Sequence, residues 1–162
     1  VLLNDILAAG NFAASSGIGL LEGILSLAVV DIDADGKDDL LTGSNAGILR
    51  AWHGVGNGGF TLLHSYASSV APLEIETGDL NRDGRLDAML VGLNGVQLFF
   101  GLGRGAFRAP QNLAAGVWPK SGVIGDWNGD NWPDIAIACQ NYAGMDSYLS
   151  VYEQIPRKIR RR

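Results

Sequence analysis

The sequence is poor in the residue types that most often mark a catalytic or disulfide-rich protein. Its 162 residues include one cysteine, two histidines and five prolines. One cysteine cannot form an internal disulfide, so cysteine usage gives no indication of the compartment. No apolar stretch approaches the ~20 residues that cross a bilayer, so we expect no membrane span. A nucleophile elbow, a phosphate-binding loop and a zinc motif are also missing from the sequence, so we expect a protein that is not an enzyme.

Glycine and aspartate are the residues that stand out. The 23 glycines are too many for a helical protein, because each costs roughly 1 kcal/mol against alanine inside a helix. They are typical of many tight turns between short strands. Eleven of the seventeen acidic residues fall in three nine-residue windows, 31–39, 79–87 and 126–134. Such local concentration of acid indicates a cation ligand, because uncompensated carboxylates repel one another in a folded loop.

The three acidic windows belong to an internal repeat. Each has the form Asp-x-Asp/Asn-x-Asp with a closing Asp, and their first aspartates are 48 and then 47 residues apart. Phe12, Phe60 and Phe107 each stand 19 residues before the first aspartate of a window. Glycine-rich segments at 54–59 and 101–105, which we interpret as turns, precede the last two of these phenylalanines. Two markers in register over three copies predict a repeat fold.

Each repeat contains four short, turn-bounded apolar stretches. In the second repeat they predict strands at Ile48–His53, Phe60–Tyr66, Leu73–Thr77 and Asp87–Val91. Four strands in a period of ~40–50 residues are typical of a β-propeller blade. We therefore predict an all-β fold of three four-stranded blades, with repeats at about 1–45, 46–92 and 93–141. An extra strand follows at 147–153, and the domain covers 1–154.

The two ends of the chain resemble each other. Both the segment 1–4 and the segment 148–152 align with 49–52, so the termini duplicate one strand type and do not complement each other. Three blades are also fewer than the 4–8 of a closed ring. We expect part of a larger propeller, or a ring completed by other copies of the chain. Since the chain starts at Val1 without methionine, we expect a mature or excised fragment. The basic tail 155–162 is expected to be a solvated terminus or a remnant of expression, and we expect no nucleic-acid partner.

The acidic windows supply the oxygen ligands that Ca²⁺ prefers. Three carboxylates or amides spaced two residues apart are expected to surround one centre. The closing carboxylate is the fourth side-chain ligand, and the backbone carbonyl of the seventh residue is the fifth ligand. Gly36, Gly84 and Asn131 permit the positive φ that the reversal requires. The sets predict about three ions, one in each window, at Asp31, Asp33, Asp35, Lys37 and Asp39; at Asp79, Asn81, Asp83, Arg85 and Asp87; and at Asp126, Asn128, Asp130, Trp132 and Asp134.

The acidic windows could also belong to an EF-hand or to an acidic turn without metal. An EF-hand loop ends with a bidentate Glu at position 12, where this chain has Thr42, Leu90 and Ile137. That rules out the EF-hand, whereas the metal-free turn stays open as the alternative. The histidines His53 and His64 stand alone, without an evident Ser, Cys or Asp partner, so we predict neither catalysis nor zinc binding by them.

The windows, the Gly-x-Gly…Phe turns ending at Phe60 and Phe107, and the segments 1–4 and 107–110 resemble the FG-GAP/VCBS repeats of integrin-α-like propellers. Asn131, in place of glycine, is a mild departure. The resemblance implies a calcium-stabilised propeller of about seven blades, extracellular or at the cell surface, used for adhesion or ligand binding.

Two alternatives accompany this expectation: a lectin-like propeller that binds a glycan, and a non-catalytic propeller domain of a larger secreted enzyme. The glycan alternative depends on the tryptophans, which offer stacking faces for sugars. We interpret them mainly as core or inter-blade packing. They are Trp52, Trp118, Trp127 and Trp132.

Overall fold

The computed structural model describes residues 2–4, 12–14, 17–140 and 147–154, with side chains given from residue 17 onward. These residues form fifteen β-strands and no helix, so the predicted all-β class is confirmed. The strands are β1 (Leu2–Asn4), β2 (Phe12–Ala14), β3 (Ile24–Val30), β4 (Asp39–Ser44), β5 (Ile48–Gly54), β6 (Phe60–Ala67), β7 (Glu74–Gly78), β8 (Asp87–Gly92), β9 (Gly95–Phe99), β10 (Gly101–Gly103), β11 (Ala106–Phe107), β12 (Gln111–Leu113), β13 (Pro119–Gly125), β14 (Asp134–Cys139) and β15 (Tyr148–Tyr152).

Three antiparallel sheets follow one another along the chain. The first sheet has the order β3-β4-β5-β6, the second β12-β9-β8-β7 and the third β13-β14-β15. All neighbouring strands are antiparallel, and each sheet starts as a simple meander. Four-stranded meanders of this kind are the sheets from which propellers are built. The described residues contain this series of sheets without closing a ring.

The sheets are offset by two strands from the sequence repeats. The four strands predicted within the second repeat are present as β5 to β8, but β5 and β6 belong to the first sheet and β7 and β8 to the second. A sequence period fixes the spacing of equivalent strands and leaves open which neighbours pair. The predicted extra strand is β15, which is the third strand of its sheet and pairs with β14 as β5 pairs with β4. The predicted basic tail, 155–162, lies outside the described residues.

The outer hairpin of the second sheet is interrupted. In the first sheet β5 and β6 form one ribbon from Ile48 to Gly54, with a register shift between Ala51 and Trp52, whereas in the second the equivalent ribbon is divided into β9 with β12 and β10 with β11. The register shifts between Gly101 and Gly103. Pro110 has no N–H for a ladder, and it lies directly before β12.

Two apolar cores lie between the sheets, and β8 contributes to both. Ala88 and Leu90 belong to the core shared with the first sheet, while Met89 and Val91 belong to the core shared with the third. Successive side chains of a strand point to opposite faces, and all six residues of β8 are buried. The second sheet is therefore the middle layer. Cys139 is buried in the second core as a free thiol.

Candidate metal-binding loops

The acidic windows form equivalent loops in all three sheets. Loop 1 (31–39), loop 2 (79–87) and loop 3 (126–134) each connect the first strand of a sheet to its second and include the first residue of that second strand. Positions within each loop are numbered here from 1 to 9. Because the connection is equivalent in each sheet, the repeat in the sequence becomes a repeat in space.

Backbone N–H groups converge on the side chain at position 1. In loops 1, 2 and 3 the N–H of position 5 donates to Oδ1 at 3.1, 3.0 and 3.2 Å, and the N–H of position 6 donates to Oδ2 at 2.9, 2.8 and 2.8 Å. The side-chain oxygen of position 3 accepts the N–H of position 5 at 3.1, 2.9 and 2.9 Å. These bonds curl the chain around the side chains of positions 1 and 3 in each loop.

Two residues in each loop adopt the left-handed conformation. At position 6 the φ angles of Gly36, Gly84 and Asn131 are +84°, +80° and +65°, which confirms the reversal predicted there. Position 4 was not predicted to reverse, yet Ala34 and Arg82 have φ of +62° and +57°. A non-glycine residue in this region costs roughly 1–2 kcal/mol, so loops 1 and 2 carry backbone strain at position 4 that the glycine of loop 3 avoids.

The closing aspartates at position 9 are fully buried, with 0% exposure. In loops 1, 2 and 3 their Oδ2 atoms accept the N–H of position 2 at 3.0, 2.9 and 3.3 Å. Their Oδ1 atoms accept a backbone N–H beyond the loop, from Gly54, Gly101 and Gln154, at 2.7, 2.7 and 3.1 Å. Each closing carboxylate therefore joins the loop to the third strand of its sheet or the residues next to it. Its predicted role as a metal ligand stays a prediction.

Glycine is required where the closing aspartate meets the outer ribbon. A Cβ on Gly54 would lie 1.9 Å from the carbonyl oxygen of Asp38, and a Cβ on Gly101 would lie 2.2 Å from that of Leu86. Both distances are far below van der Waals contact with backbone atoms. The first glycine of each Gly-x-Gly segment, interpreted from sequence as part of a turn, is thus a strand residue at a close backbone approach.

The comparison with family models agrees with this geometry. The FG-GAP-like repeat model matches residues 31–90 and 79–137. Each match runs from the first aspartate of one loop through the following loop into the second strand of the next sheet. Together the two matches cover about two thirds of the chain. The chain belongs to the FG-GAP-like repeat family. No curated protein matches the sequence. Among the described residues, the structure contains no helix that could cross a membrane.

The FG-GAP-like loops place the predicted ligands as follows. In loop 1 one carboxylate oxygen each from Asp31, Asp33 and Asp35 lies within 4.8 Å of the others. The residue predicted to add its carbonyl, at position 7, donates its N–H to the Oδ1 of position 5 at 2.9, 3.0 and 2.8 Å in the three loops. Positions 1, 3, 5 and 7 are therefore close together, and in loop 1 a carboxylate oxygen of Asp39 at position 9 also lies within 4.8 Å of one of Asp33.

Two of the loops contain a basic side chain at position 7. Lys37 Nζ lies 2.5 Å from Asp35 Oδ2, and Arg85 Nη1 lies 3.3 Å from Asp83 Oδ2. The hydrogen bond from Lys37 is the largest influence on the Asp35 carboxyl and lowers its pKa. In loop 2, burial raises the pKa of the closing Asp87, against the opposing effect of the N–H groups of Gly101 and Leu80.

His53 was wrongly predicted to lack an acidic partner. Its Nδ1 lies 3.0 Å from Asp33 Oδ2 and 3.5 Å from Asp39 Oδ1, at the end of β5. The prediction failed because β5 pairs with β4, so fourteen residues of sequence separate His53 from Asp39 although they are neighbours in the sheet. One signal was available in the sequence. Gly54 and Gly101 occupy equivalent positions, so the residue directly before Gly54 could have been expected to lie close to the closing aspartate.

The tryptophans occupy different environments. Trp52 is buried, and its Nε1–H donates to Thr42 Oγ1 at 3.0 Å. The Trp132 ring in loop 3 is covered by the guanidinium of Arg82 in loop 2, 5.3 Å from the ring centroid. This contact joins neighbouring loops and confirms packing between sheets for Trp132, while the burial of Trp52 confirms core packing for that residue. Trp118 and Trp127 are 38% and 46% exposed.

Proposed function

We propose that this protein is a calcium-binding module of a β-propeller, in which Ca²⁺ has a structural role and the surface serves adhesion or the binding of a protein ligand. The observation that carries the proposal is the same hydrogen-bonded loop in three sheets, in which side-chain oxygens of positions 1 and 3 accept the N–H of position 5. In loop 1 one carboxylate oxygen from each of positions 1, 3 and 5 lies within 4.8 Å of the others. The proposal includes that the protein is not an enzyme and acts outside the cell or at its surface.

The chemistry of the donor set favours Ca²⁺. Positions 1, 3 and 5 offer only carboxylate and amide oxygens, and a hard cation with a flexible shell of six to eight oxygens suits them. Magnesium demands near-ideal octahedral geometry at short distances, which loops of this length with several carboxylates do not enforce. In loops 1 and 2 the N–H groups of positions 5 and 6 use one lone pair on each oxygen of position 1 and leave others for an ion. In loop 3 the Oδ1 of Asp126 also accepts the N–H of Gly129 at 2.8 Å, so its Oδ2 has the free lone pair.

Exposed apolar side chains support a larger or self-completed propeller. On the outer face of the first sheet Leu27 and Val29 are 63% and 58% exposed, and on the third sheet Leu149 and Val151 are 66% and 49% exposed. Sheets buried on both faces, such as the second, are what a propeller requires of its blades. We therefore propose that further blades, from the same or another chain, cover these two faces.

Calorimetry with Ca²⁺ and thermal melting with Ca²⁺ or a chelator test the metal proposal. We expect about three ions per chain, with dissociation constants of roughly 10⁻⁵–10⁻³ M as in extracellular modules. A ligand that binds only the folded state stabilises it by mass action, by about 2.7 kcal/mol per site at a hundredfold excess over the dissociation constant. The melting temperature should therefore rise with Ca²⁺.

A pair of variants in loop 1 gives the control. Asp31→Asn removes a carboxylate at position 1 and should lower the stoichiometry by one ion. Asp38→Asn removes an exposed carboxylate of the same loop that lies outside the ligand set, and should leave three ions bound. An unchanged melting temperature in saturating Ca²⁺ contradicts the structural role. Equal effects of the two variants would mean that net charge, and not the ligand set, attracts the ion.

Glycan binding is the second candidate function, and the exposed ring of Trp127 favours it. The ring packs over Gly125, where a Cβ would lie 2.4 Å from it, and 46% of the residue stays open to solvent. An exposed indole held against the backbone is a platform for a sugar face. Binding to a glycan array that is lost in Trp127→Ala would support this candidate, and an array without binding would exclude it.

A further inference from the structure

A buried ring nitrogen points into loop 1 from the neighbouring strand. His53 Nδ1 lies 3.0 Å from Asp33 Oδ2 and 3.5 Å from Asp39 Oδ1, and one ligand atom from each of the three residues lies within 4.8 Å of the others. Nδ1 is shielded from solvent and makes no hydrogen bond, and Asp39 is fully buried. The sheet thus holds an imidazole nitrogen against two carboxylates without the hydrogen bond that a buried polar atom normally makes.

The arrangement of these atoms suits ligands around one ion. Since a contact of 3.0 Å along the ring N–H direction would be a hydrogen bond, the Asp33 oxygen lies to the side of that direction. Neighbouring ligands of a metal have this relation, because each lone pair points at the ion and not at the next ligand. With bonds of about 2.0–2.2 Å, tetrahedral ligands of Zn²⁺ stand about 3.3–3.6 Å apart. The separations of 3.0 and 3.5 Å need only small adjustments to reach this range.

Loop 1 differs from the other two loops because a histidine nitrogen lies beside its carboxylates. In each sheet a residue outside the loop donates its backbone N–H to the closing aspartate, and the residue directly before that donor differs between the sheets. It is His53 in the first sheet, Phe100 in the second and Glu153 in the third. Calcium takes oxygen ligands, whereas imidazole suits zinc, copper, iron and nickel. The same loop architecture therefore presents a mixed nitrogen and oxygen donor set in one sheet and oxygen donors at positions 1, 3 and 5 in the others.

We propose that loop 1 is a site for a divalent transition metal, with Zn²⁺ the best fit, bound by His53 Nδ1, Asp33 and Asp39. The inference deepens the metal-binding function proposed above and rests on it only for the ability of loop 1 to hold a cation. Asp33 also belongs to the oxygen set with Asp31 and Asp35, so Zn²⁺ and Ca²⁺ compete for loop 1. Loops 2 and 3 keep their preference for Ca²⁺.

Titration of the untagged chain with Zn²⁺, and with Co²⁺ as a spectroscopic probe, tests the proposal. The wild type should bind one Zn²⁺ per chain and give a Co²⁺ visible spectrum with nitrogen coordination. His53→Phe installs the residue that the second sheet carries at this place, and it removes a direct ligand. The loss of Zn²⁺ affinity should therefore exceed the roughly 10–100-fold typical of outer-shell partners. His64→Gln, which changes the other histidine, is the matched control and should bind Zn²⁺ like the wild type.

The outcomes separate this proposal from the calcium proposal. Zn²⁺ binding that His53→Phe leaves unchanged, or a wild type that binds no Zn²⁺, overturns the inference while Ca²⁺ binding can still stand. Zn²⁺ binding that depends on His53, in a chain that binds no Ca²⁺, supports the inference and overturns the calcium function. His53→Gln is the second variant should the phenylalanine disturb folding, and Ca²⁺ binding by loops 2 and 3, where it occurs, reports whether each variant is folded.

Discussion

Replacing the closing aspartate of loop 2 separates its role in the fold from a role in metal binding. Asp87 is fully buried, and its carboxylate accepts the N–H of Leu80 at 2.9 Å and that of Gly101 at 2.7 Å. It connects the start of the loop, the second strand of the sheet and the outer ribbon. Asp87→Ala removes both acceptors at once and leaves two donors without a partner inside the protein.

The expected loss follows from these two hydrogen bonds. A hydrogen bond to a charged group contributes about 1.5–3 kcal/mol, so the two together amount to about 3–6 kcal/mol. Burial raises the pKa of the Asp87 carboxyl, which means that its charge is held at some cost in the folded state. We therefore expect the lower half of the range. Total stabilities of domains are about 5–15 kcal/mol, so the variant should be severely but measurably destabilised.

Urea unfolding in excess chelator is the assay, with Asp83→Ala as the control in the same loop. Asp83 is exposed, and water can replace its contacts, so its removal should cost less than about 1 kcal/mol without metal. Asp87→Asn keeps one acceptor oxygen and should lie between the wild type and Asp87→Ala. A loss below about 1 kcal/mol for Asp87→Ala in chelator, together with a large loss in Ca²⁺, would refute this reasoning and make Asp87 primarily a metal ligand.

Two further predictions concern backbone strain and pH. Ala34→Gly should stabilise the protein by up to about 1 kcal/mol, because relief of a strained left-handed residue exceeds the entropy that glycine adds to the unfolded chain. Gly129→Ala, at the equivalent position of loop 3, should destabilise the protein. Equal melting temperatures for the wild type and both variants would contradict backbone strain at position 4. Burial, with a smaller contribution from the charge of Glu74, raises the pKa of Glu76 above 4.5. The folded state therefore holds the proton of Glu76 more tightly than the unfolded state does, and the stability of the protein falls as pH rises through the folded pKa. Glu76→Gln should therefore be more stable than the wild type at pH 7 in chelator, with a difference that shrinks below pH 4.5, and a constant difference across this range would exclude the mechanism.

Local chemistry made much of the fold predictable from sequence. The short apolar stretches and the glycine-rich turns that bound them place the strands of the second repeat within a residue or two of β5, β6, β7 and β8. The reversals at Gly36, Gly84 and Asn131 follow from the few residues that tolerate positive φ. These features depend on neighbours in sequence, which is why the sequence is sufficient to predict them.

Features that depend on distant partners could not be predicted in the same way. The division of β5 to β8 between two sheets, the backbone approach at Gly54 and the position of His53 beside Asp33 all follow from pairing across strands. The closing aspartates look like the other acids of each window, and only their burial beneath the loop distinguishes them. A glycine at nearly the same offset in two repeats, 15 and 14 residues after the closing aspartate, was the signal for a second anchoring point.

The loops divide their acidic residues between two tasks. The closing carboxylate is buried and accepts two backbone N–H groups, so hydrogen bonds connect the loop to the sheet. Positions 1, 3 and 5 are curled by their own backbone N–H groups and lie nearer to solvent, with Asp35, Asp83 and Asp130 exposed. Under the proposed function, an ion would meet donors that the loop already holds close together, and a preorganised site spends less of its binding free energy on ordering the chain. Such an ion would restrain the left-handed residues at positions 4 and 6, and metal binding at the rim would then add to the stability of the sheet below.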